Sequence, residues 1–506
     1  MANIMTKRGS LDNIVTYEHY CDTKADLANI PENEITLGST AIVLQDEDGS
    51  LGVYIATSDK EWIAMMTTGG SGGSGGESSS EDGLKDFLEN SFSTFENSDV
   101  TKLRYYAFAM NGQLEEISLP NCSTINGGAF ANCTALTSVD FPTLERIEGP
   151  EITQQESIVW DNSTSTSSIV MVESKGPGAF NYCSNLQTIN IPMCSYIGEL
   201  AFVGGTFSSI DLPNCTYIGS NAFATAQLES ISIPKCSVIE DCAFSSCYKL
   251  SEITGDMVEE IGISAFANCY SYANNEGLHT ANFPKCSSVK EVTMNVYGAY
   301  GAYRDQDILV GSTFTYCRNL ATVSFPLLEK VVTEMFAYCS NLSQVYLPKC
   351  KTISPSAFYS CSTLTSIDLP ELESFISSTV YVNGGVGPTQ KTITEAFGGC
   401  TNLETVNLPK CKKVLTNTFT RCTNLKYIYL PVCEEIEHDA FWVGSSNNIE
   451  SLYLLNNSQV SLGSQIFGLN VPLQSTLKIY VPNSLLAGYQ SNYTSLASYF
   501  TAYIGE

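Results

Sequence analysis

Between residues 100 and 482 the apolar positions follow one template that returns every 21 to 22 residues. It is clearest near the C-terminal end, where AFGGCTNLETVNLPKCKKVL is followed by TFTRCTNLKYIYLPVCEEIE. Cys400, Cys411, Cys422 and Cys433 therefore succeed one another at intervals of 11, and Cys339, Cys350 and Cys361 keep the same beat. Generalised, the unit reads A-F-x-x-C-x-x-L-x-x-I-x-L-P-x-C-x-x-I. Its Phe slot is filled about 14 times, from Phe108, Phe130 and Phe180 to Phe441 and Phe467. Each unit holds a short alternation such as Ile367-Asp368-Leu369, closed by Pro370. This predicts a strand of three or four residues that the proline keeps from growing. The A-F-x-x-C-x-x-L stretch spaces its apolar residues three apart, which predicts a single turn of helix.

One strand and one helical turn in ~22 residues is the period of a leucine-rich-repeat coil. The residues resemble the BspA-like leucine-rich repeats, with their L-P-x-x-L-x-x-I-x-x-x-A-F-x-x-C-x-x-L consensus. The resemblance covers about three quarters of the chain. It implies an α/β fold, a right-handed solenoid with a parallel sheet, common in surface proteins and adhesins and without enzymatic activity. The solenoid is expected over residues 100–475, with a C-terminal cap over 476–506.

Nearly all of the 19 cysteines occupy two slots of the unit, one after the proline and one after Phe; only Cys21 and Cys242 fall outside. In three units the slot after the proline holds Leu144, Leu328 or Leu372. A position that accepts Leu or Cys is a core position, where free Cys behaves as a small buried hydrophobe. Zinc sites would need closer pairs, and a disulfide ladder would need an oxidising compartment. The first 20 residues lack an apolar run of ~7–15 behind a basic start, so no secretory signal is expected, nor does any later stretch reach the length of a membrane span.

Three units break the rhythm at one point. From the apolar residue after the proline-side cysteine slot to the next Phe the regular count is five, but Ile147 to Phe180 is 33, Val289 to Phe314 is 25 and Phe375 to Phe397 is 22. The insertions cover 148–177, 290–311 and 376–394. Stacked coils would bring them out along one edge as a row of loops. Trp160 in the first, Tyr297, Tyr300 and Tyr303 in the second, and Tyr381 and Asn383 in the third are the candidate ligand-binding residues. Tyr among Gly, Ser and Asn is the mix of adaptable binding loops. The competing expectation is that a solenoid edge merely tolerates insertions, the aromatics pinning them down.

Residues 1–67 lack the repeat. STAIVL, GVYIA and WIAM, divided by turn-like Asp46–Gly49 and Ser58–Glu61, predict a small β-meander. This segment resembles small β-modules of tailed-bacteriophage virion proteins, which would make it an attachment domain. GGSGGSGG within residues 68–80 is a flexible linker. Leu84, Phe87, Leu88, Phe92 and Phe95 then predict a helical N-cap over 81–99.

Charge narrows the function. With 25 basic against 53 acidic residues the net charge is -28, which opposes nucleic acid and anionic lipid. His19, His279 and His438 are scattered, and no P-loop, GxSxG, HExxH or dinucleotide fingerprint occurs. Neither enzyme activity nor a cofactor or metal is expected. The leading expectation is a phage virion appendage, docked on a capsid or tail protein through residues 1–67, with its edge loops meeting a host-surface glycan or protein. The alternative is a cellular BspA-like surface adhesin or interaction scaffold. A homo-oligomer would suit either.

Overall fold

The computed structural model describes residues 5–11, 14–30, 40–45, 52–56, 62–67, 93–161, 166–273, 275–295, 307–384, 387–444, 447–469 and 472–505. Two compact units divide the chain, Met1–Cys236 and Ser237–Glu506. Both are built from the same coil.

Each regular coil contributes two strands, where the sequence pattern had predicted one. A three-residue strand such as Ser138–Asp140 buries only its middle residue, and a two-residue strand such as Arg146–Ile147 buries only its second. Neighbouring coils pair these strands parallel and in register. In the first unit Val139 lies between Ile117 and Ile189, and Ile147 between Ile125 and Ile197. In the second, Val406 lies between Ile367 and Ile428. The period-2 alternation fixes the register, because a one-residue slip would turn every polar neighbour into the core.

The third side of the coil is not a helical turn. Across A-F-x-x-C alternate N–H groups leave the coil altogether: Leu200, Phe202 and Gly204 donate to the carbonyls of Ser220, Ala222 and Ala224. The remaining N–H groups close tight turns, as when Cys133 donates to Phe130. In most coils a left-handed residue stands on each side of Phe. Leu200 (φ 61°) and Gly204 (φ 69°) flank Phe202, and Glu334 (φ 55°) and Tyr338 (φ 62°) flank Phe336. Spacing of three suits a helix and this turn equally, so periodicity did not separate them.

Between the three sides runs the core. Phe130, Phe180 and Phe202 are buried and stack with centroids 4.9 and 5.0 Å apart and planes within 8°. In the second unit Phe358, Phe397 and Phe419 repeat this at 5.0 and 5.3 Å. Each buried ring contributes ~1.5–3 kcal/mol, plus the offset-stacking term its neighbours supply.

The helical cap expected over 81–99 gives way at its described end to a strand. Thr94–Glu96 pairs parallel with Glu116–Ser118, and Phe95, buried between two exposed neighbours, belongs to the first coil. Leu84, Phe87, Leu88 and Phe92 lie outside the described residues. At the other end an α-helix, Leu486–Asn492, is flanked by 3-10 turns at Asn483–Leu485 and Thr494–Tyr499. Tyr489 and Tyr493 turn their hydroxyls to the last two-residue strand, accepting hydrogen bonds from the N–H of Val460 (2.7 Å) and Leu462 (3.0 Å). Side chains thereby satisfy a strand edge that would otherwise stand open.

The N-terminal segment forms a five-stranded sheet. Thr40–Gln45, Gly52–Ala56 and Trp62–Thr67 are consecutive antiparallel strands, as a meander requires. Two strands that the pattern did not predict precede them, Met5–Leu11 and Ile14–Thr23, and the second pairs parallel with Thr40–Gln45. A parallel join needs a crossover, so the module is not a meander throughout.

Candidate functional site

All three insertions fold as antiparallel hairpins that leave the coil directly after a two-residue strand. Ile152–Asp161 pairs with Thr166–Lys175, Val292–Asn295 with Asp307–Val310, and Ser378–Gly384 with Gly387–Ile393. The first, with ten residues in each strand, extends ~30 Å at the usual rise. In the second unit the strand Asp307–Val310 lies against Ser378–Gly384, so these two hairpins are neighbours.

Polar contacts hold each hairpin root. Gly176 N–H donates to the Glu151 carbonyl, and Lys175 meets Glu199 at 2.8 Å. At the second root Glu291 accepts from the N–H and hydroxyl of Thr333 (2.7 and 2.6 Å) and from Lys330 Nζ. Burial alone would raise the Glu291 carboxyl, but these hydrogen bonds and the lysine charge outweigh it and hold it below the ordinary range. At the third root Thr394 Oγ1 donates to the Thr416 carbonyl. Beside it opens a cavity of about 740 Å³, lined by Ser377, Thr394, Thr416, Glu437, His438 and Ser461 among others. Thr416 donates through both N–H and hydroxyl to Glu437 at 2.9 Å, and Lys413 pairs with Glu437 at 2.7 Å. Burial opposes ionisation of Glu437, yet these partners again lower its pKa.

The candidate residues divide as follows. Trp160 sits on the first hairpin opposite Ser167, Tyr381 on the third opposite Gln390, and Asn383 opposite Pro388. Tyr297, Tyr300 and Tyr303 lie outside the described residues. The cavity at the third root was not foreseen, since Thr394, Thr416 and His438 are far apart in the chain and only coil stacking brings them together.

The cysteines form two ladders of free thiols. Of the cysteines from Cys122 to Cys433, all are buried except Cys242, which is half-exposed. Among the described residues no group of His, Cys, Asp and Glu could hold a metal ion. Burial pushes the thiols of Cys133, Cys194, Cys350 and Cys411 up to about 12. Cys215 is the exception, held below its ordinary value by a hydrogen bond with Cys236.

The family model of the BspA type leucine rich repeat region matches in six copies, over residues 85–154, 173–290, 305–385 and 389–485. The chain belongs to this family. As a BspA-type repeat protein it shows gaps in the match at 155–172, 291–304 and 386–388. Each gap falls in an insertion: the first inside the first hairpin, the second across much of the second, the third at the tip of the last. The first two hairpins thus interrupt the match, whereas the third is matched except at its tip. Solved structures of similar proteins include a leucine-rich repeat protein from Bacteroides ovatus (21% identity, 75% of this chain and 91% of that one, TM-score 0.38). Others are a leucine rich cell surface protein from Faecalibacterium prausnitzii (19%, 75% and 93%, 0.34) and the pneumococcal vaccine antigen PcpA (14%, 93% and 100%, 0.30). No curated protein matches significantly. Among the described residues no helix is long and apolar enough to cross a membrane.

Proposed function

We propose that this chain is a non-enzymatic bacterial surface protein, an adhesin or interaction scaffold, whose hairpins contact a partner protein or glycan. The observation that carries this reading is the coincidence of each family-match gap with an insertion rooted after a two-residue strand. An addition that leaves the coil intact costs the fold little and is free to serve recognition. Family membership favours this cellular reading over a virion appendage docked through residues 1–67, which rests on the N-terminal resemblance alone. Surface protease treatment of producing cells tests it. Loss of the full-length chain from intact cells, with cytosolic markers preserved, is the expected result; protection equal to those markers would refute surface display.

A further inference from the structure

Besides the hairpins, the second unit carries a shorter interruption on another side of the coil. The cysteine after Phe is followed by Leu three residues on at Cys317–Leu320 and Cys339–Leu342, but nine on at Cys269–Leu278. The surplus residues fold back through a bridge between Tyr270 and Gly277. Ser271 N–H donates to the Glu276 carbonyl at 3.0 Å, and Asn319 Nδ2 of the next coil donates to the Asn275 carbonyl at 2.7 Å. The loop is thus tied to its neighbour, yet it presents Tyr272 with 73% of its surface exposed.

Arg318 of that next coil packs among the tyrosines. Its guanidinium carbon lies 4.8 Å from the Tyr272 ring centre and 5.9 Å from those of Tyr270 and Tyr316. Tyr316 stacks on Tyr338 at 4.5 Å, and Tyr270 meets Tyr272 edge-on at 4.9 Å. In a chain of net charge -28, where Arg146, Lys290, Lys330 and Lys413 are all ion-paired, Arg318 has no ion pair among the described residues. Its Nε is buried without a hydrogen-bond partner. Stacking grips a guanidinium by its faces and leaves the in-plane N–H fork for an oxyanion.

We propose that Tyr270, Tyr272, Tyr316 and Arg318 bind a glycan bearing uronic acid, the carboxylate on Arg318 and the sugar ring against Tyr272. The fork matches a carboxylate, and the electron-rich ring face matches the C–H face of a pyranose. A polyanion without a sugar ring offers the carboxylate but lacks the pyranose face that Tyr272 would meet. The site lies beyond the Cys slot and not where the hairpins leave, so it stands apart from binding by the hairpins.

Calorimetric titration of the full chain decides the matter, using an oligogalacturonide, a neutral galactose oligomer of equal length, and poly-glutamate. The uronide should bind saturably and the other two should not. Arg318→Gln and Tyr272→Ala should each weaken uronide binding about tenfold or more, with the thermal transition checked in both. Tyr272 is exposed enough for its alanine variant to fold, so it decides alone if Arg318→Gln does not. No wild-type uronide binding, equal binding of the neutral oligomer, equal binding of poly-glutamate, or unchanged affinity in the folded variants would each overturn the proposal.

Discussion

The thiol of Cys339 donates to the carbonyl oxygen of Phe314, 3.1 Å away and one coil earlier. Cys361 bonds Phe336 in the same way, Cys400 bonds Phe358, and Cys422 bonds Phe397. Cysteines of the other slot bond chiefly on their own coil: Cys411 donates to the Lys413 carbonyl at 3.3 Å and Cys350 to that of Thr352 at 3.4 Å, while Cys433 reaches both Glu435 and, at 3.5 Å, Lys412 of the coil before. Two chemically identical residues therefore do different work. One ties coil to coil beside the phenylalanine stack; the other fills space beneath a strand.

Leucine should separate the two slots. Cys422→Leu forces extra methylenes between stacked coils and deletes a hydrogen bond, and should cost ~1–3 kcal/mol. Cys411→Leu copies what Leu328 and Leu372 already do in the same slot, and should change stability by less than ~1 kcal/mol. Urea unfolding of the two variants makes the comparison; equal losses would show that the slots are equivalent.

That difference is legible in the sequence. The slot three after Phe is held by Cys or by Asn111, Gly205, Ala226, Gly444 and Asn470, never by a larger aliphatic, whereas the slot after the proline also admits Leu144, Val258, Leu328 and Leu372. The coil, the longer of its two strands and the points of insertion follow from period and spacing, because a stacked repeat converts sequence register directly into position. The turn beside Phe did not, since spacing of three fits a helix as well. Nor did the cluster around Arg318, although the step from Cys269 to Leu278 marked its loop: a contact between coils depends on which residues share a side, and Tyr272 and Arg318 are 46 positions apart.

Alkaline pH should unfold the protein early. Burial raises the thiols of Cys194, Cys286, Cys350, Cys411 and Cys433 from an ordinary 9.0 to about 12. The folded state therefore holds these protons more tightly than the unfolded chain, so the contribution is complete below pH 9 and is lost as pH climbs towards 12. Under reductant, the melting temperature should be flat with respect to thiol ionisation below pH 9 and fall above it. At neutral pH, alkylation of the native chain should reach half-exposed Cys242 well before the buried thiols; uniform rapid labelling would contradict the burial.

The left-handed positions offer a stabilising change. Leu200 holds φ at 61°, where the same position in the next coil carries Asn221 at 55°. Leu200→Asn should stabilise by ~0.5–1 kcal/mol by relieving a conformation that costs a branched side chain ~1–2 kcal/mol. Gly128→Ala should do the reverse, for φ is 70° there and the added Cβ would fall 2.6 Å from the Tyr106 ring. Thermal melting of both variants checks the pair, and shifts of the same sign would refute it.

The central claim, that an intact coil carries separable recognition hairpins, is tested most directly by excision. Insertions 148–177, 290–311 and 376–394 would be replaced together by the short connection of a regular repeat, and the variant compared with the full chain for melting temperature and for adhesion to host epithelial cells. A melting temperature within ~4 °C of the parent with adhesion lost is the predicted result. Adhesion at the parental level from a folded variant would contradict it.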